Sequence, residues 1–190
     1  VLVNRFLVSA AHKSSGKTTI SIGLAAAFTK RGQSVATFKK GPDYIDPIWL
    51  QAATSRPCWN LDFFTMSKKE ILDCFQRQAL GASVVLIEGN KGLHDGLDVE
   101  GSDSSAALAT LLDCPVILVV DVSGITRGIV PLIEGYQAFD PRVNFAGLIL
   151  NQVGAVRHEE KLHAAIDHYS DLPILGSIRR SDSLRIEERH

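Results

Sequence analysis

Cysteine is scarce in this 190-residue chain: Cys58, Cys74 and Cys114 are the only three, far apart and without a Cys-x-x-Cys pair. So odd and scattered a set makes neither a disulfide framework nor a zinc site, and it predicts reduced thiols buried as small hydrophobes. No apolar run approaches the length of a membrane span, and the Val1 start carries no signal-peptide cleavage pattern. An excess of one charge is missing too. Lys and Arg number 20 against 21 Asp and Glu, and the basic residues are spread along the chain, which excludes a field that gathers nucleic acid or anionic membrane. Repeats, low-complexity tracts and linkers are absent as well. What remains is an ordinary globular composition, 45% hydrophobic and 22% charged, sufficient for one sizeable core in a single domain. These absences together predict a soluble, cytoplasmic protein with no nucleic-acid and no membrane partner.

The apolar segments alternate between two kinds. Short β-branched runs at 6–9, 34–38, 84–88, 116–121, 145–151 and 174–178 are bounded by Gly, Pro, Asp or Asn and read as buried strands. Helical stretches lie between them at 17–31, 68–80, 104–112, 128–139 and 158–169, and Ser67 opens a Ser-x-x-Glu capping box. Strands apolar on both faces, joined by helix-length connections, predict an α/β fold: a mostly parallel sheet with helices on both faces, doubly wound or close to it. Ligands of such sheets bind beyond the carboxyl ends of strands, so the residues that follow each strand are where chemistry is sought.

The first of these places carries "AAHKSSGKTT", residues 10–19. Strand, small polar loop and helix surround its Gly-Lys-Thr, the context of a P-loop. Ser14, Ser15, Gly16, Lys17, Thr18 and Thr19 then form the nucleotide cradle: backbone N–H groups for phosphate oxygens, Lys17 for the β and γ phosphates, the Thr18 hydroxyl for magnesium. Ala11 stands where the usual pattern has Gly, which requires only that this residue avoid a positive φ. The second place is "VVLIEG", a strand ending in Glu88, the position of an acidic residue near the metal in P-loop proteins. In "EGNKGLHDG", Asp95 lies among Gly89, Gly92 and Gly96; turn chemistry explains Asp95-Gly96 as well as a ligand contact does. The third is "FKKGPDYIDP", which presents Lys39, Lys40, Asp43 and Asp46 together, a set suited to carboxylate, phosphate and magnesium, in a loop shaped by Pro42 and Pro47.

These residues resemble the ATP-dependent amidotransferase synthetases of the cobyrinic acid a,c-diamide synthase family, related to dethiobiotin synthetase. The resemblance runs through nearly the whole chain: "GKTT", "FKKGPDYIDP", "NLD" at 60–62, "EGNKGLHDG", "PVILVVD" at 115–121, "FAGLILNQV" at 145–153 and "ERH" at 188–190. It implies a P-loop NTPase fold and a use of ATP and magnesium to phosphorylate a peripheral carboxylate of a tetrapyrrole, after which ammonia displaces the phosphate and leaves an amide. It also implies that Lys17 and Lys39 handle phosphates, that Thr18, Asp43 and Glu88 hold magnesium, that Asp46 and Asp95 serve the substrate carboxylate, and that Asn151 contacts adenine.

The family carries a glutaminase domain with a Cys nucleophile after an Arg-His-Leu-Gly-Leu stretch. Residues 1–190 correspond to the synthetase domain alone, and none of the three Cys stands on the turn a nucleophile needs. Ammonia is therefore expected from a glutaminase domain absent from this chain, or from another source, with a homodimer as a candidate assembly. His94 replaces the family's common Tyr and Asn90-Lys91 replace more apolar residues, which keeps a sirohaem or nickel-sirohydrochlorin amidase in view. A partitioning-type switch ATPase shares the expected fold but needs a second Lys where His12 stands. His158, His163 and His168 are spaced by five, too far apart around a helix to chelate one ion, and are expected at the surface. Trp49, Trp59, Phe63 and Phe64 either stack on a macrocycle or, as is commoner for aromatics, pack in the core.

Overall fold

A computed structural model describes residues 4–181. Seven strands form one sheet in the order β3-β2-β4-β1-β5-β6-β7, every pair parallel. The strands are β1 (Asn4–Ala10), β2 (Val35–Lys40), β3 (Cys58–Leu61), β4 (Val84–Glu88), β5 (Val116–Asp121), β6 (Phe145–Val153) and β7 (Ile174–Arg179); the helices are α1 (Lys17–Lys30), α2 (Asp46–Thr54), α3 (Lys68–Ala79), α4 (Ser105–Leu111), α5 (Ile129–Phe139) and α6 (Val156–Tyr169). The α/β reading of the sequence is correct. The "ERH" stretch lies outside the described residues.

The chain steps from β1 to β2 and β3 at one edge and then runs the other way through β4, β5 and β6 to β7, so right-handed crossovers send α1 and α2 to one face and the later helices to the other. One face packs Val8, Ala10, Leu86, Val119 and Ile149 against Ile20 and Ala25 of α1 and Leu50 of α2. The other packs Leu7, Phe38, Ile87, Leu118 and Leu150 against α3, α4, α5 and α6 through Ile71, Leu108, Ile133 and Leu162. Alternate residues of each strand thus feed different cores, which is why the strands read as continuous apolar runs. No helix among the described residues is long and apolar enough to cross a membrane.

Two elements were not expected from the sequence. In "DPIWLQAAT" Pro47 occupies the first turn of α2. Proline there forfeits no helical hydrogen bond, so the residue taken as a loop stiffener is a helix starter. Strand β3 is only four residues at the sheet edge, too short for periodicity to show. The second strand also runs two residues further than expected, so Lys39 and Lys40 are strand residues rather than loop residues. Core packing was the commoner expectation for the aromatics, and it holds for Phe63 alone: Trp49, Trp59 and Phe64 are exposed.

Leu118 lies on β5 between β1 and β6 and is fully buried. Truncating it opens a cavity in the larger core, so Leu118→Ala should lose about 2–5 kcal/mol of stability. Urea unfolding should show a lower midpoint at unchanged slope.

Candidate functional site

The turn from β1 into α1 is a wound phosphate loop. Ser14 (φ 63°) and Gly16 (φ 92°) both take left-handed conformations, whereas Ala11 does not, so the missing glycine of the usual pattern carries no strain. Gly16 is required for a second reason: a Cβ there would lie 2.2 Å from Asn151 Nδ2. That amide, from β6, donates to Ser15 O at 2.9 Å, Ser15 Oγ donates to His12 O at 2.8 Å, and Tyr136 of α5 donates to Ala11 O. The cradle is held from two sides by its own scaffold.

Beside it stands a buried charge cluster set by strand register. Lys39 of β2 is directly opposite Glu88 of β4. Lys39 Nζ donates to Asp46 Oδ2 at 2.6 Å, to Glu88 Oε1 at 3.1 Å and to Gly89 O at 3.2 Å, and Thr18 Oγ1 donates to Glu88 Oε1 at 2.6 Å. Lys17 is 8% exposed and forms no ion pair among the described residues. Burial, reinforced by Lys39, lowers its pKa to about 8. Burial also pushes Lys39 down, but Glu88 and Asp46 outweigh it and hold the ammonium above its ordinary value. Glu88 is fully buried, and this pushes its carboxyl up against the pull of Lys39. Its Oε2 has no hydrogen-bond partner among the described residues.

An orphaned buried carboxylate oxygen beside a hydroxyl is a donor set for a hard cation. Among the described residues no group of three or more His, Cys, Asp or Glu could enclose an ion. Magnesium takes one or two carboxylates and completes its shell with water and phosphate, so Thr18 and Glu88 fit it without such a group.

The structure brings together Lys17, Thr18, Lys39, Asp46 and Glu88 of the expected site. Asp46, expected at the substrate end, bonds Lys39 and lies 3.4 Å from Thr18 Oγ1, at the phosphate end. Asp43, expected at the metal, turns Oδ1 to the N–H groups of Ile45 (2.9 Å) and Asp46 (3.2 Å) and keeps Oδ2 3.9 Å from Lys39. Asp95 accepts from Gly92 N at 2.8 Å and is otherwise exposed. It therefore makes the turn and also presents an oxygen outward. A Cβ on Gly92 would meet Ala11 O at 2.9 Å, which shows how closely this loop lies against the cradle.

Asp95 lines an open cleft of about 610 Å³ beyond the carboxyl ends of β2, β3 and β4, with Lys40, Phe63, Phe64, Asn90 and Lys91 among its walls. His94 does not line it; its ring packs on Tyr136 and Phe139 at 5.4 and 4.8 Å. Two supports were missed in the sequence. Asn60 donates to the carbonyls of Gly41 and Asp43 (2.6 and 2.7 Å) and fixes the "GPD" loop; "NLD" was the available signal. Tyr136 gave none, being mid-helix and remote in sequence from the loop it holds.

Residues 7–190 match the model of a family described as the CobQ/CobB/MinD/ParA nucleotide binding domain. The chain belongs to that family. It is 50% identical over 188 residues to the cobyrinate a,c-diamide synthase of Magnetococcus marinus, covering 99% of this chain and 40% of that protein. The enzyme of the same name from Methanosarcina acetivorans is 44% identical over 192 residues, covering 99% and 39%. The chain therefore spans about 40% of the length of these relatives. Among solved structures, FtsY of Mycoplasma mycoides superposes with a TM-score of 0.60 at 14% identity, covering 90% of this chain and 58% of that one, and chloroplast FtsY of Physcomitrella patens with 0.58 at 17%, covering 92% and 58%. That likeness is one of fold.

The remaining candidates of the sequence divide. Cys58 and Cys114 have thiols pushed up to about 12 by burial, far from nucleophilic. His158 is not a free surface residue: Nδ1 accepts from Gly154 N at 3.0 Å and Nε2 donates to Ile125 O at 2.7 Å, tying the loops after β5 and β6. His163 is half-buried with its Nε2 2.8 Å from Ser177 Oγ, and only His168 is exposed as expected.

Lys17 gives the site a pH signature. Bound phosphate favours its charged form and raises its pKa from about 8, so the complex holds more protons than the free protein around that pH. Nucleotide affinity should fall as pH rises through about 8, with proton uptake on binding, and Lys17→Met should remove both. Calorimetry in buffers of different ionisation enthalpy measures the uptake; a pH-independent affinity would contradict the assignment.

Proposed function

We propose that this domain binds ATP with magnesium and activates a carboxylate of a tetrapyrrole for amide formation. The observation that carries the reading is the cleft near the cradle: Asp95, on the cleft wall, acts electrostatically on Lys17, and Gly92 of the same loop lies against Ala11 O of the cradle. A nucleotide switch needs no such room. The relatives' name, cobyrinate a,c-diamide synthase, supplies the substrate class.

In the reaction a carboxylate oxygen attacks the γ-phosphorus and ADP departs, leaving an acyl phosphate. Ammonia then attacks the acyl carbon, phosphate leaves with the C–O electron pair, and an amide remains after loss of a proton. Positioning and charge neutralisation dominate such a transfer. Lys17 binds the β and γ oxygens and Lys39, already ordered by Asp46 and Glu88, faces the same charge. Thr18 and Glu88 would hold magnesium, which supplies further neutralisation of phosphate charge. Asn151 braces the cradle through its bond to Ser15 O and would also contact adenine. Ammonia comes from glutamine hydrolysed on another domain or protein.

Hydroxylamine trapping tests the reading. With ATP, magnesium and cobyrinic acid, sirohaem or nickel-sirohydrochlorin in turn, one tetrapyrrole should give a hydroxamate, and ammonium ion should support amide formation. Glu88→Gln should lose hydroxamate formation by about two powers of ten or more, together with metal-nucleotide affinity, whereas Asp95→Asn should lose turnover and spare nucleotide binding. Hydroxamate without ATP, or none with any tetrapyrrole, would refute the proposal.

A further inference from the structure

Lys40 is a buried cation without a counterion in contact. It is 7% exposed, lines the cleft, and makes no hydrogen bond and no ion pair within 4.0 Å among the described residues. Its neighbour in β2, Lys39, is buried more deeply, at 2% exposure, but is met by the carboxylates of Asp46 and Glu88. Successive strand residues face opposite sides of the sheet, so Lys39 serves the α1/α2 side and Lys40 points to the cleft at the α3/α4 side.

The cleft holds four carboxylates, and each has a nearer donor. Asp62 accepts from Phe64 N and Thr65 Oγ1, Asp95 from Gly92 N, Asp98 from Ser102, and Asp103 from Leu97 N. They shape the loops. The three cations of the wall, Lys40, Lys68 and Lys91, have no such partners among the described residues. Burial accordingly pushes Lys40 below its ordinary value, although Asp103 and Asp62 pull against it. An apolar surface adjoins them: Phe63 and Met66 on the wall, Phe64 at 85% and Leu97 at 77% exposure on the rim.

We propose that Lys40, with Lys91 at the rim, forms a subsite for a carboxylate of the second substrate other than the one that reacts, with Phe64 and Leu97 covering the apolar body that carries it. The inference rests on the carboxylate-activating reading above and adds where, and by which residues, a flat polycarboxylate is gripped. Lys40 is here a binding and specificity residue. An unpaired buried ammonium burdens the fold, and a ligand carboxylate completes it.

The test uses cobyrinic acid as the polycarboxylate probe and its heptamethyl ester as a probe of the same shape without charge, titrated by absorbance in the absence of nucleotide. The wild-type protein should bind the acid and bind the ester at least about tenfold more weakly; Lys40→Met should weaken the acid by about tenfold and leave ester and ATP affinities unchanged. Lys40→Met should also melt higher than wild type, because it removes an uncompensated charge, and Lys40→Arg should restore part of the acid affinity. A merely structural lysine would show the opposite melting shift. Lys91→Gln, at an exposed position, should cost about threefold for the acid and provides the reading if Lys40→Met fails to fold. Equal binding of acid and ester, no binding of the acid, or unchanged acid affinity in the folded variants would overturn the subsite. Normal acid binding with no hydroxamate from any tetrapyrrole would instead overturn the activation chemistry and leave the subsite standing.

Discussion

Lys39 is the constraint around which the rest is arranged. A buried ammonium is tolerated only when its charge and its hydrogens are met, and here they are met by Asp46 at the start of α2, Glu88 at the end of β4 and the carbonyl of Gly89. Through Glu88 the same contact reaches Thr18 in the first turn of α1. One side chain thus links four elements at the mouth of the sheet, and removal of either carboxylate would leave a buried ammonium hydrogen without its acceptor. Lys17 is left incomplete beside it: burial first, and the nearby Lys39 second, raise its ammonium in energy and favour an anionic partner. The protein is stable around its own ion cluster and receptive beside it.

Much of this was legible in the chain because it is written at strand ends. Alternation of apolar runs with helix-length segments gives the parallel sheet, and in such a sheet "GKTT", "FKK" and "LIEG" must converge on one edge. What could not be read was the pairing within the convergent set. Asp43 and Asp46 differ by one helical turn's worth of sequence, and only the start of α2 at Asp46 decides that one faces Lys39 at 2.6 Å while the other is drawn to the backbone. Edge features were hidden for a related reason. Strand β3 is four residues long, and the exposure of Trp59 depends on its being in an edge strand, which no local pattern announces. His158 was read by spacing for metal, whereas its role is to bridge two backbones that the sequence holds far apart.

The consecutive lysines of β2 illustrate how a strand can serve two ligands at once. The pleat separates Lys39 from Lys40 by one residue along the chain and by the full thickness of the sheet in direction. On the proposed reading, a nucleotide on one side and a second molecule on the other would be referred to the same rigid strand, hydrogen-bonded on both sides by β3 and β4. Relative placement of the two proposed ligands would then be set by backbone geometry, which is stiffer than any pair of loops.

The position of β1 has a consequence for how the molecule comes into being. The first strand in sequence is the central strand in space, and its partners are β4 and β5, with Asn4 opposite Val84 and Leu7 opposite Val116. None of its ladder can form from local chain, and β2, next in sequence, pairs with β4 and not with it. During synthesis the P-loop strand therefore waits, apolar on both faces, until β4 emerges. Folding must then close a large loop before any ladder contact of β1 is rewarded, which makes the process slow relative to a helical chain of the same size and leaves Leu7 and Val8, fully buried in the fold, uncovered in the interval.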